Sequence, residues 1–279
     1  IYLKIKERGY TYPVIYDELL EYFCGKTGKE ICGDAPAMSW REIPVFLKMF
    51  PKGKVIHNYR DLRSVLASWK KLSSMPNNGY LNCIFNWIDS VNYVERFTNT
   101  LSKNSYFPLK HEAVVSDPEK WFRKLCEFLE VDFEDNLIKP ERWRDFIGDS
   151  LVPIAKSSHE GGVVGFSSKR TARWKEVLED WELCLVETLG GDILKRLGYE
   201  LSDKKFSASV FSIALEKLKM NDFLLKNLCI YLAIGEGSKR YPNDPTDARY
   251  WAVSGSNKWW IDTPEAKQYL EAIKEIDKT

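Results

Sequence analysis

Val55–Trp69 reads VIHNYRDLRSVLASW. With Lys54, its first part (KVIHNY) is short and apolar enough for a strand, and Leu62–Leu72 sets Val65, Leu66 and Trp69 at helical spacing. A strand running directly into a helix is the unit of a parallel α/β sheet, whose ligands bind at the C-terminal ends of the strands. Arg60 stands at that end, and Ser68 follows eight residues later, about two turns into the helix. A guanidinium fork and a hydroxyl so placed could grip one phosphate from two sides. Taken alone, the stretch favours a plainer reading, with Arg-Asp as a structural ion pair and Ser68 as a small residue easing helix packing.

The same alternation continues outward. Upstream, Asp17–Cys24 reads as a helix, Gly25–Lys29 as a turn, and Lys29–Gly33 (KEICG) as a buried strand leading into the loop Asp34-Ala35-Pro36. Ser39–Phe50 follows as a helix with Ile43, Phe46, Leu47 and Phe50 on one face, broken at Pro51-Lys52-Gly53. Downstream, a turn at Asn77-Asn78-Gly79 precedes a long helix over Tyr80–Leu101, and Ser105–Lys110 is a third strand. Asp117 and Pro118 open a helix over Glu119–Glu130, and Trp174–Leu197 is a helix closed by Gly198. The expected fold class is therefore α/β, a mostly parallel sheet flanked by helices. One domain is expected over 1–201. Residues 202–279 are expected to form a mostly helical appendage of unknown role, with helices over Phe211–Leu228 and Pro264–Ile276.

Bulk composition narrows the function classes. The 279 residues carry a net charge of +1, which gives no global reason to expect nucleic acid or membrane partners. Six basic residues lie between Lys52 and Lys71 against one acid, Asp61, and a solvated helix face is the plain reading. The six cysteines show no CxxC pair and no metal-ligand spacing with the three histidines, so unpaired buried thiols and no metal are expected. The most apolar run, Phe223–Ile234, is interrupted by Lys226 and Asn227 and is too short to span a bilayer.

Several stretches together resemble the sulfotransferases that use 3′-phosphoadenosine 5′-phosphosulfate (PAPS). They are Cys32-Gly33-Asp34-Ala35-Pro36, PVFLKMFPKGKVIHNYRD, FPLKHEAVVSDPEKWFRKLCEFLEV and RWKEVLEDWELCLVETLGGDILKRLGYEL. The similarity covers Lys29–Leu201, and its spacing looks nearest to the tyrosylprotein sulfotransferases. In that family an Arg ends a strand and a Ser eight positions later completes the 3′-phosphate grip; Arg60 and Ser68 stand at those positions. His111 stands where the family usually has a Tyr against the adenine, with a surface histidine as the alternative. Ser158 falls near a serine that contacts the donor. Lys169 and Arg170 fall where 3′-phosphate or leaving-group contacts lie, with ordinary loop charges as the alternative. Asp34 occupies the position of the family's catalytic His or Lys; a carboxylate there could take a proton from an attacking hydroxyl, or simply cap the next helix.

The resemblance implies a P-loop-NTPase-like sulfotransferase fold. The family's glycine-rich phosphosulfate loop after a first strand is not found, and the chain opens on Ile1 within what reads as domain interior, so an N-terminal truncation is expected. The implied reaction is sulfuryl transfer from PAPS, as co-substrate, to a hydroxyl or amine acceptor. Carbohydrate, lipid, small molecule and protein tyrosine all remain open as acceptor classes, and homodimerisation is left open. The rivals are a non-catalytic nucleotide-binding or interaction module and a P-loop nucleotide kinase, the latter lacking its GxxxxGK[ST] motif. A cytoplasmic location is expected from the cysteines and from the lack of any Asn-x-Ser/Thr triplet, with a Golgi membrane location the alternative implied by the resemblance.

Overall fold

A computed structural model describes residues 1–28, 31–36, 38–72, 76–144, 165–167 and 171–235. The helices α1 (Tyr2–Arg8), α2 (Tyr12–Thr27) and α3 (Ile43–Met49) precede strand β1 (Val55–Tyr59) and α4 (Leu62–Leu72). After α5 (Asn82–Thr100) come β2 (Tyr106–Lys110), α6 (His111–Ser116) and α7 (Pro118–Leu129). The remaining helices are α8 (Trp174–Val177), α9 (Asp180–Arg196), α10 (Ala208–Lys219) and α11 (Asp222–Ile234). Among the described residues β1 and β2 pair in parallel, with Val55 opposite Tyr106 and Tyr59 opposite Lys110.

Parallel strands need a crossover, and here α4 and α5 supply it. Alternation along the strands then assigns the two faces. Tyr106 packs with Phe97 of α5 and Ile43 of α3 on one face. Leu109 packs with Val114 and Leu125, from α6 and α7, on the other. Helices cover both faces of β2, as the α/β expectation requires.

The largest core lies beside the sheet. Leu62 and Leu66 of α4 meet Ile84, Phe85, Ile88 and Val91 of α5, and Val186, Ile193 and Leu194 of α9. Ala214, Leu218, Leu224 and Leu228 from α10 and α11 belong to the same cluster, so these two helices share their core with the elements before residue 201. Close approach of α9 to α4 depends on Gly190, where a Cβ would sit 2.6 Å from Leu62 Cδ2.

The structure corrects several sequence expectations. Ile31–Gly33 runs as irregular backbone rather than a strand. An apolar run becomes a strand only against a partner, and this one is tied to α2 instead, through a disulfide between Cys24 and Cys32. That bond also corrects the expectation of unpaired thiols throughout; Cys83, Cys126 and Cys184 are buried free thiols. The helix expected over Trp174–Leu197 is broken at Leu178-Glu179, because Glu179 caps α9 in a reciprocal box with Glu182. The helix expected over Phe211–Leu228 is likewise two helices. The first ends at Lys219, and Asn221 caps α11 by accepting from the amides of Phe223 and Leu224. Residues 236–279, including the expected terminal helix, lie outside the described residues. Among the described residues no helix is long and apolar enough to cross a membrane.

His57 joins the strands to α5. Its Nδ1 lies 2.8 Å from the Tyr106 hydroxyl and its Nε2 2.9 Å from Ser90 Oγ. Burial lowers its pKa from 6.5 to about 4, so the folded state holds a neutral ring. Between those two values the unfolded chain binds more protons than the folded one, and stability rises with pH. The contribution is complete above pH 6.5 and is lost as pH falls towards 4. It amounts to about 3 kcal/mol. Urea titrations should show wild-type stability falling over this window more steeply than that of His57→Gln; parallel curves would contradict the assignment.

Candidate functional site

The C-terminal edge of the β1/β2 pair brings together residues fifty positions apart. Since Tyr59 pairs with Lys110, the next residues, Arg60 and His111, both follow the last ladder pair at that edge, and His111 opens α6. One step further, the Asp61 amide donates to Glu112 Oε1 at 3.0 Å. The carbonyl of Arg60 accepts from Trp87 Nε1 at 2.6 Å, which fixes the backbone at the turn from strand to helix. Arg60 and His111 are each half-buried.

Asp61 does not serve as the ion-pair partner that Arg-Asp adjacency suggests for Arg60. Its carboxylate caps α4 by accepting the Arg63 amide at 2.8 Å. It also takes the Arg63 guanidinium, with Nη2 to Oδ2 at 2.7 Å. Arg63 extends to Glu187 Oε1 at 3.1 Å, and its guanidinium lies 4.2 Å from the Trp174 ring centre. Burial by itself would lower the Arg63 pKa, but the bonds to Asp61 and Glu187 outweigh it and the pKa is raised. The basic stretch is therefore less solvated than its composition suggests. Lys54 pairs with Glu130 at 2.7 Å, and Lys70 with Glu182 at 2.8 Å.

Ser68 is exposed on α4. Ser64, four residues earlier and so on the same face, donates from Oγ to the Thr171 carbonyl at 2.8 Å. Thr171 is thus held against α4 one turn before Ser68. Ser158, Lys169 and Arg170 lie outside the described residues. Asp34 is exposed and accepts from the Tyr16 hydroxyl at 2.9 Å, which raises the Tyr16 pKa, with burial as the larger cause, to about 12. The helix-cap reading of Asp34 does not hold, since its carboxylate goes back to α2 and Ser39 occupies the N-cap position ahead of Trp40–Glu42.

The structure also adds residues that sequence reasoning missed. Glu112 directly follows His111, and Trp87 and Tyr199 meet this edge from α5 and from the stretch after α9. Their partners are distant in sequence, so no local pattern reveals them.

A model of the sulfotransferase family matches residues 11–135, the span that holds Asp34, Arg60, Ser68 and His111. The match covers fewer than half of the chain's 279 residues. A protein-tyrosine sulfotransferase of Drosophila melanogaster is 23% identical over 166 residues, covering 55% of this chain and 32% of the relative. Protein-tyrosine sulfotransferase 1 of Danio rerio is 24% identical over 171 residues, covering 57% of this chain and 47% of the relative. The chain thus spans between a third and a half of the length of these two curated sulfotransferases. A solved sulfotransferase domain from the curacin biosynthetic pathway aligns with a TM-score of 0.47 at 18% identity, over 68% of this chain and 69% of that one.

The ion pairs around Asp61 should be needed for this edge to form. Asp61→Ala removes both the α4 cap and one carboxylate of a buried guanidinium, and should cost about 3 kcal/mol. Asp61→Asn keeps the capping oxygen and should cost less. Denaturant titration measures both; losses below about 1 kcal/mol in each variant would show that the network is dispensable.

Proposed function

We propose that the C-terminal edge of β1 and β2 binds the 3′-phosphate and adenine of PAPS, and that the chain belongs to an enzyme transferring its sulfuryl group to a hydroxyl acceptor. The observation that carries this reading is the adjacency of Arg60 and His111 beyond the Tyr59–Lys110 pair, with Ser68 exposed on the helix that Arg60 leads into. Arg60 would supply a forked donor to the phosphate, Ser68 a hydroxyl from the side, and His111 a ring for the adenine. Lys169 and Arg170 immediately precede Thr171, whose carbonyl Ser64 holds against α4, and they are proposed as further cations at the same phosphate.

In the reaction, the acceptor oxygen bonds to sulfur as the bond from sulfur to the 5′-phosphate oxygen breaks, releasing adenosine 3′,5′-bisphosphate. Positioning and cationic stabilisation of the leaving phosphate are the expected sources of rate. The acceptor's proton needs a base, and Asp34 is the proposed one. Tyr16 remains protonated well above neutral pH and so keeps donating to the Asp34 carboxylate. The names of the curated relatives support protein tyrosine as the acceptor class.

Calorimetric titration with adenosine 3′,5′-bisphosphate, and with AMP as control, tests the donor reading. Wild type should bind the bisphosphate more tightly than AMP, and Arg60→Ala should weaken the bisphosphate about 10–100-fold while changing AMP little. Equal binding of the two nucleotides by wild type, or no effect of Arg60→Ala, would refute it.

A further inference from the structure

The β ladder ends at Tyr59 and Lys110, just short of the two residues that would hold the donor. Beyond that pair the strands turn away into α4 and α6, and a side chain takes over the connection. Glu112 Oε1 accepts the Asp61 amide at 3.0 Å, and its Oε2 accepts the Tyr199 hydroxyl at 2.8 Å. One half-buried carboxylate thus joins the β1–α4 turn, the first turn of α6 and the stretch that follows α9.

We propose that Glu112 is a positioning residue of the donor site, holding Arg60 at a fixed distance from His111 so that a 3′-phosphate and an adenine can be gripped together. This rests on the donor reading of the edge given above. A carboxylate so close to a phosphate site would repel the ligand unless its charge were directed elsewhere. Both oxygens of Glu112 face donors within the protein, which draws the charge away from the edge. Tyr199 keeps its proton, because burial, with Glu112 next, pushes its pKa up. Its ring is further held by Lys110, whose Nζ lies 3.8 Å from the ring centre and donates to the Leu197 carbonyl at 2.9 Å. Trp87 fixes the same turn through the Arg60 carbonyl, so the backbone of Arg60 and Asp61 is anchored by two side chains.

The test compares wild type, Glu112→Ala and Glu112→Gln in two measurements. The first is the ratio of affinities for adenosine 3′,5′-bisphosphate and AMP. The second is hydrogen exchange at the Asp61 amide relative to amides in α9. Glu112→Ala should reduce the affinity ratio about tenfold and speed exchange at Asp61 while leaving α9 protected. Glu112→Gln keeps an acceptor for the Asp61 amide and should stay within about threefold of wild type in both. An unchanged ratio in Glu112→Ala, or unchanged exchange at Asp61, overturns the proposal, as does equal loss of the ratio in both variants. If wild type itself does not distinguish the two nucleotides, the donor reading fails and the positioning role falls with it. Exchange at Asp61 then still decides whether Glu112 anchors the turn.

Discussion

Five parallel residue pairs, from Val55 with Tyr106 to Tyr59 with Lys110, bring Arg60 and His111 to one edge. A parallel pairing delivers both strand ends to the same edge, whereas an antiparallel one would have sent them apart. The ladder stops one residue before Arg60 and His111, and beyond it two long-range side-chain contacts reach the β1–α4 turn. One is the Asp61 amide on Glu112, and the other is the Trp87 indole on the Arg60 carbonyl. The first links residues 51 positions apart in the chain. Such contacts lie outside the ladder and add to the α4 cap and the ion pair that Asp61 makes.

Buried charge is concentrated at the same junctions. Asp61, Arg63 and Glu187 tie α4 to α9, while Arg41 and Asp89 tie the approach to α3 onto α5. Burying these ions is costly, and the cost is offset only where each finds several partners. The chain places them where helices must meet at a set angle rather than in the apolar centre around Phe85 and Ile88. His57 follows the opposite strategy: it is held neutral between two hydroxyls, joining β1 to β2 and α5 without any charge to compensate.

The sequence was most legible where periodicity and partner were local. β1 and α4 follow from Val55–Trp69 because a short apolar run and a helical stripe adjoin without a gap, and α4 spans Leu62–Leu72 as the spacing predicts. Periodicity misled where it ran through a cap. Apolar spacing continues across Leu178, but a Glu at the N-cap, less usual than Ser or Asp, starts a new helix there. At Asn221 the signal was present, since Asn is a favoured cap, yet the apolar stripe on either side obscured it. KEICG looked like a strand because composition cannot show whether a ladder partner exists. Arg60 and Ser68 could be named from their strand–helix spacing and His111 from the family resemblance, but Glu112, Trp87 and Tyr199 act through contacts that only folding creates.

Photolabelling with 8-azidoadenosine 3′,5′-bisphosphate followed by peptide mapping asks whether the β1/β2 edge is a nucleotide site. Adducts are expected on peptides containing residues 60–68 or 106–112, suppressed by excess unlabelled bisphosphate. Adducts confined to α10 and α11, or labelling that the unlabelled ligand does not compete away, would contradict it.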